Sequence, residues 1–277
     1  MTQVISILNL KGGVAKTTTT VALADTLAVN GKRVLVVDLD PQCDTSVMLL
    51  GGQNLTGLFA AQKTLAEVFI PGETPLSFED IVENGVSNVR VGTRPVKTIS
   101  LLAANMILAD IQDDMTTLQI SDHVLSKFLA PVIKGKKFDV ILFDCPPNFG
   151  VFTRNAIQAC DSYIIPAIPD FLSMQLGVHR TYTRVKAFFQ GKTKGGPRLR
   201  AIVATKYQAK IALYDTVIDW LTTHKTFARY FVLPKIPQTT DLVNAAIWGP
   251  HVTLAQKYPA GLHKELVALA TNLKLLP

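Results

Sequence analysis

The chain has 277 residues, 48% of them hydrophobic and 18% charged, with a formal net charge of +7. That length suits one doubly wound α/β unit with a large core, and that hydrophobic fraction is ordinary for a globular protein. No apolar run approaches the ~18 residues a membrane-spanning helix needs, so stable membrane insertion is not expected.

The opening MTQVISILNL has no basic segment ahead of its apolar residues. It is expected to start a first strand, Val4–Leu8, and not a signal peptide. Lys11-Gly12-Gly13-Val14-Ala15-Lys16-Thr17-Thr18 follows at once. The order strand, glycine-rich turn, helix start points successive backbone N–H groups and a helix N-terminus at one spot, which suits a polyphosphate. In such a loop Lys16 reaches the β/γ-phosphates and the Thr17 hydroxyl ligates Mg²⁺. The common phosphate-loop pattern has Gly six positions before that lysine and again just before it. Here Leu10 and Ala15 stand there, and a second lysine, Lys11, opens the loop.

A helix is predicted over Lys16–Val29, stopped by Asn30-Gly31. Val34–Val37 is a wholly apolar strand, as expected when both faces are covered; it runs into Asp38-Leu39-Asp40-Pro41-Gln42. Residues 52–97 are punctuated by Gly and Pro and read as an irregular surface insertion, with short helices near Leu65–Phe69 and Phe78–Glu83. Ile99–Ala103 reads as an edge strand. Ile107–Met115 and Ile120–Ile133 have helical spacing. Val140–Phe143 is a central strand leading into Asp144-Cys145-Pro146-Pro147.

A short helix, then a strand over Ser162–Ile165, come next. Phe171–Gln190 is read as one helix, with Leu172, Leu176, Val185 and Phe189 on its apolar side and Arg180, Arg184 and Lys186 largely off it. Gly191–Pro197 is a basic loop, Leu199–Ala204 a strand, Leu213–Leu221 a helix, and Ala260–Leu273 a closing helix. Alternating β and α units predict a doubly wound, mostly parallel sheet with helices on both faces and ligands at the carboxyl ends of the strands. Residues 1–277 are expected to be a single domain.

Charge is unevenly spread. Residues 1–140 hold 12 Lys/Arg and 14 Asp/Glu, net −2, and residues 141–277 hold 16 and 7, net +9. Between 180 and 210 lie Arg180, Arg184, Lys186, Lys192, Lys194, Arg198, Arg200, Lys206 and Lys210 without one acidic residue. Self-repulsion makes such a run costly, so it is expected to face an anionic polymer, with a solvated face as the alternative. Cys43, Cys145 and Cys160 are odd in number and lack C-x-x-C spacing, which fits a reduced compartment and suggests neither disulfides nor zinc. The histidines form no ligand pair.

The loop KGG-x-x-K-T, the segment D-x-D-P-Q at 38–42 and the strand VILFDCPP at 140–147 together resemble the ParA/MinD family of deviant Walker A ATPases, over essentially the whole chain. The resemblance implies ATP and Mg²⁺ as cofactors, slow ATP hydrolysis, and a nucleotide site from Lys11 through Thr18 with Pro237 beside the base. It implies that Asp144 holds Mg²⁺ through water, that Asp38 supports the metal, and that Asp40 orients the attacking water. Lys11 would reach the ATP of a second subunit, making an ATP-dependent homodimer. The implied partners are non-specific DNA, met here by Arg180, Arg184, Lys192, Lys194, Arg198 and Arg200, and an activating protein, ParB-like or a cargo adaptor. The implied location is cytoplasmic and nucleoid-associated, and the implied task is to segregate or position a plasmid, a chromosome or a protein complex. No N-terminal DNA-reading helices are expected before Val4.

Two positions depart from the family pattern: Gln238 follows Ile236-Pro237 where relatives have arginine, and Asp241 stands where many have a basic residue. A membrane-cycling MinD-like protein is the alternative reading. Its signature would be a basic amphipathic C-terminal helix, whereas Gly261–Lys274 carries two lysines and one glutamate. An iron–sulfur reductase would need paired cysteines, and a scaffold without turnover would need Lys11 or Asp40 out of place.

Overall fold

Val34–Asp38 is buried at all five positions. Successive strand residues point to opposite faces, so both faces of the sheet are covered. The computed structural model describes residues 1–70, 76–113, 120–192 and 195–277. Its strands are β1 (Gln3–Ile7), β2 (Val34–Asp38), β3 (Val82–Asn84), β4 (Val89–Val91), β5 (Arg94–Pro95), β6 (Ile99–Leu102), β7 (Val140–Asp144), β8 (Ser162–Ala167), β9 (Arg198–Ala204), β10 (Phe231–Val232) and β11 (Val252–Thr253). Eight of them form one sheet in the order β10-β9-β8-β1-β7-β2-β6-β3, and β11-β4-β5 form a smaller one. In the large sheet β3 is antiparallel to β6, and the other pairings are parallel.

The helix Lys16–Val29 has the predicted bounds. Asn30 and Gly31 close it, with Gly31 at φ 81° and the Asn30 amide on the Thr26 and Leu27 carbonyls. A left-handed residue just past the last turn is what satisfies orphan carbonyls there, and glycine adopts it freely.

Four readings change. Ile99–Leu102 is not an edge strand, because β3 lies outside it. The predicted helix Phe78–Glu83 is helical only to Ile81; the next three residues pair with β6 instead, so tertiary pairing overrides local preference. The described residues of 52–97 are more regular than their punctuation suggests and place Leu55, Leu65, Phe69, Ile81 and Val89 in the core. The run Phe171–Gln190 is not one α-helix. It forms a π-helical segment, Ser173–His179, and then an α-helix, Arg180–Phe189. Leu172 and Leu176 are consequently exposed. The helix predicted over Ile107–Met115 is seen to Asp113, and its last two residues lie outside the described residues.

The closing helix, Leu262–Asn272, buries Leu262, Leu266, Leu269 and Ala270. A buried polar cluster holds the chain's end to its beginning. Asp25, fully buried in the Lys16–Val29 helix, accepts from Ser87 Oγ at 2.6 Å and from Tyr258 Oη at 2.8 Å, and pairs with Lys257 Nζ at 2.8 Å. Lys257 also donates to Asn88 Oδ1 at 2.8 Å. No described helix is long and apolar enough to cross a membrane.

Candidate nucleotide site

The turn after β1 is built by backbone geometry. Gly13 has φ 73° and Ala15 has φ 62°. The left-handed conformation costs an alanine about 1–2 kcal/mol that glycine does not pay, so Ala15 fits with strain. Asn9 braces the entrance: its Nδ2 donates to the Pro166 carbonyl at 2.7 Å and its Oδ1 accepts from the Lys11 amide at 2.9 Å. On the far side Thr205 Oγ1 donates to the Val14 carbonyl at 3.0 Å. The amides from Gly12 to Thr18 have no acceptor within the described chain. Converging, unsatisfied N–H groups at a helix start fit a polyphosphate. Lys16 lies among them, 7% exposed. Burial lowers its pKa, and the neighbouring Asp144 and Asp40 oppose that shift.

Asp144, fully buried at the end of β7, accepts from Thr45 Oγ1 at 2.6 Å, Thr17 Oγ1 at 2.8 Å and Thr20 Oγ1 at 3.4 Å. Burial pushes its carboxyl up to about 6, against the hydroxyl hydrogen bonds and Lys16. A carboxylate and hydroxyls beside a phosphate cradle are the hard oxygen donors Mg²⁺ takes. The fit is good: Thr17 would hold the ion and Asp144 would back it. Bound there, Mg²⁺ supplies charge that stabilises the transferring phosphoryl group.

Asp38, expected to support the metal, is engaged by two neighbouring segments. Its Oδ2 accepts from Ser46 N at 2.9 Å and Ser46 Oγ at 2.7 Å, and its Oδ1 from Asp40 N at 3.2 Å. Complete burial and the nearby Asp144 hold its pKa well above the usual carboxylate range. It braces the Asp40 backbone. Asp40 itself is half-buried and accepts from the Gln42 amide at 3.1 Å.

Lys11 stands outside the cradle. Its Nζ donates to Ser173 Oγ at 2.7 Å and lies 3.6 Å from Asp170, and its side chain is 31% exposed. Sequence reasoning missed Thr45, Ser46, Asp170 and Ser173, and named Lys206 only as part of the basic run. Asp44-Thr45-Ser46, one residue past the D-x-D-P-Q segment, was the available signal, since it begins the unpredicted helix Asp44–Leu50. Beside Thr17 and Thr18 opens a cleft of ≈ 490 Å³, lined by Val47, Met48, Lys206, Ile236, Pro237 and Leu242 among others. Its apolar walls suit a base. The Tyr207 and Gln238 amides cross-bond the two loops that carry Lys206 and Pro237.

The basic segment divides. Arg180 and Arg184 are exposed and one helical turn apart. Arg184 lies over the Phe149 ring at 5.2 Å and Lys192 over Phe188 at 3.4 Å, while Phe149 and Phe188 meet edge to face. Arg198 sits elsewhere, across a groove from the helix. Arg200 is not a surface cation. Its Nε donates to the Leu273 carbonyl at 2.8 Å and its Nη2 to Gln3 Oε1 at 2.6 Å and to the Lys274 carbonyl at 3.3 Å. It ties the C-terminus to β1, and that corrects its expected DNA role. Lys194 lies outside the described residues.

A parallel sheet with this loop after its first strand defines a P-loop nucleotide hydrolase. A family profile described as "AAA domain" matches residues 2–194. The sporulation initiation inhibitor protein Soj of Bacillus subtilis is 31% identical, over 92% of this chain and 91% of its own length. The chromosome partitioning protein ParA of Caulobacter vibrioides is 27% identical, over 94% of this chain and 89% of its own. A Mycobacterium smegmatis structure described as cobyrinic acid a,c-diamide synthase, bound to an ATP analog and magnesium, superposes with a TM-score of 0.69 at 26% identity, covering 89% of this chain and 92% of that one. The chain belongs to the ParA/MinD-type P-loop ATPases, and its cofactors are ATP and Mg²⁺.

Proposed function

We propose that the protein is a partition or cargo-positioning ATPase that dimerises around ATP, binds DNA without sequence preference, and is released when a partner protein stimulates hydrolysis. Its place would be the cytoplasm, on the nucleoid. The observation that carries this reading is the position of Lys11. It lies at the head of the loop, outside the cradle, beside Phe171, Leu172 and Leu176, which are 65%, 59% and 52% exposed. An apolar surface next to a cation that lies outside its own cradle, held by Ser173 and Asp170, supports a second copy docking there. Lys11 would then neutralise charge on the partner's ATP, as an arginine finger does. Similarity to Soj and to the chromosome partitioning protein ParA supports the cargo-handling role.

Lys11→Ala is therefore expected to leave ATP affinity nearly unchanged while turnover falls on the order of 10³-fold. Light scattering with ATP, alongside calorimetry, decides it. A fully formed and fully active mutant dimer rules the cross-subunit role out.

Asp40→Ala should bind ATP and dimerise, yet hydrolyse about 10²-fold or more slowly, because the water loses its orienting carboxylate. Phosphate release at saturating ATP is the measurement, and a wild-type rate would make Asp40 purely structural.

DNA is assigned to the face that carries Arg180, Arg184 and Lys192. Each phosphate contact contributes about −0.9 to the slope of log K against log salt. Arg180→Glu with Arg184→Glu should weaken ATP-dependent DNA binding and reduce that slope by about two units. Undiminished affinity would leave this face merely solvated.

A further inference from the structure

Among the described residues of the basic run, Lys206 is the one that lines the cleft beside Thr17 and Thr18. It follows β9, in a segment tied down on both sides. Before it, Thr205 donates through Oγ1 to the Val14 carbonyl at 3.0 Å and through its amide to the Ala167 carbonyl at 2.9 Å. After it, the Tyr207 amide donates to the Ile236 carbonyl at 3.0 Å, and the Tyr207 carbonyl accepts from the Gln238 amide at 2.9 Å. Lys206 is therefore held between a tie to the phosphate loop and a tie to the wall that carries Pro237.

Its backbone has φ 52°. Left-handed backbone is uncommon for a residue with a long side chain, and it persists where the surrounding structure over-determines it. Glycine would adopt this conformation freely, so fold alone does not account for a lysine here. Its charge is also uncommitted. Lys206 is half-buried, and among the described residues neither an ion pair nor a hydrogen bond holds its ammonium. Asp44 lines the same cleft, yet the two are not paired.

We infer that Lys206 is a further nucleotide-binding residue, with its aliphatic stem against the base and its ammonium on the α-phosphate. Position selects that part of ATP. The β- and γ-phosphates belong to Lys16 and the loop amides, the base belongs to the apolar walls, and the α-phosphate is the anion between them. A lysine suits such a junction, because its methylene stem covers apolar surface while its head stays on a polar partner. The competing anion is a DNA phosphate, since Lys206 belongs to the basic run by sequence. The inference rests on the nucleotide site alone and uses neither the proposed dimer nor the Arg180/Arg184 face.

The test is calorimetry of MgATP and MgADP on the full chain with Lys206→Gly and Lys206→Met. Both nucleotides carry the α-phosphate, so Lys206→Gly should weaken them equally, by about tenfold. Lys206→Met keeps the stem and should fall between Lys206→Gly and wild type. Without nucleotide, Lys206→Gly should melt close to wild type, because glycine fits the left-handed backbone. If it melts lower, Lys206→Met decides by itself, with weakened binding expected. Three results overturn the inference. One is wild-type affinity of Lys206→Met and Lys206→Gly for both nucleotides. Another is a loss confined to ATP, which would put the ammonium on the γ-phosphate. The third is unchanged nucleotide affinity with weakened DNA binding at saturating MgATP, which would assign the lysine to DNA.

Discussion

Lys16→Ala is expected to abolish measurable ATP binding. The ammonium is 7% exposed and sits where the unpaired amides of the loop converge. Two charge-assisted hydrogen bonds to β- and γ-phosphate oxygens are together worth about 3–5 kcal/mol, a loss of ~10²–10⁴ in affinity. The loss is larger here than at a surface site because nothing else on the described loop carries a full positive charge toward the cradle; Lys11 is turned to Ser173 and Asp170. In the proposed ATP-bridged dimer, dimerisation should vanish with ATP binding. Calorimetry with MgATP measures the effect, and circular dichroism checks the fold. Unchanged affinity in a folded variant would falsify the assignment of this loop to phosphate.

Lys257→Ala should be the most damaging change far from the phosphates. It would strip Asp25 of its counter-charge where both side chains are almost wholly buried, at 0% and 2% exposure. Breaking a buried pair from one side costs about 3–5 kcal/mol, since the remaining charge is desolvated and unpaired. For a chain of this size that lowers the melting temperature by roughly 10 °C. Asp25 belongs to the helix that opens with Lys16, while Lys257 and Tyr258 precede the closing helix. The cluster therefore joins the phosphate-binding helix to the last part of the chain. Replacing both partners, Asp25→Leu with Lys257→Met, removes the unpaired charge but strands the Ser87 and Tyr258 hydroxyls, so it should recover only part of the loss. Denaturant unfolding of the two variants measures it. Equal stability of Lys257→Ala and wild type would mean the pair contributes nothing.

Much of the nucleotide site was legible because its chemistry is local. Lys11 to Thr18 are consecutive, and a glycine turn between strand and helix has few conformations. Asp144 could be placed because it ends an apolar strand. The partners of Asp38 were not legible because its surroundings are not local. Ser46 is eight residues away, and only the turn into the Asp44–Leu50 helix brings its hydroxyl and amide onto the carboxylate. Arg200 was misread for a related reason. A basic run shows which residues are charged, but not which are consumed by distant carbonyls such as those of Leu273 and Lys274.

The amino-acid sequence by itself determined the strand–loop–helix order, the parallel sheet and the cation at the head of the loop. Hydrophobic periodicity and glycine placement act over a few residues, and those distances are written along the chain. The tertiary structure alone decided that β3 covers β6, that Leu172 and Leu176 face outward, and that the basic segment separates into a helix face, a groove wall and a C-terminal clasp. Each outcome depends on which surfaces meet across the sheet. Burial and hydrogen-bond competition between segments far apart in sequence set those meetings, and no spacing within a single segment encodes them.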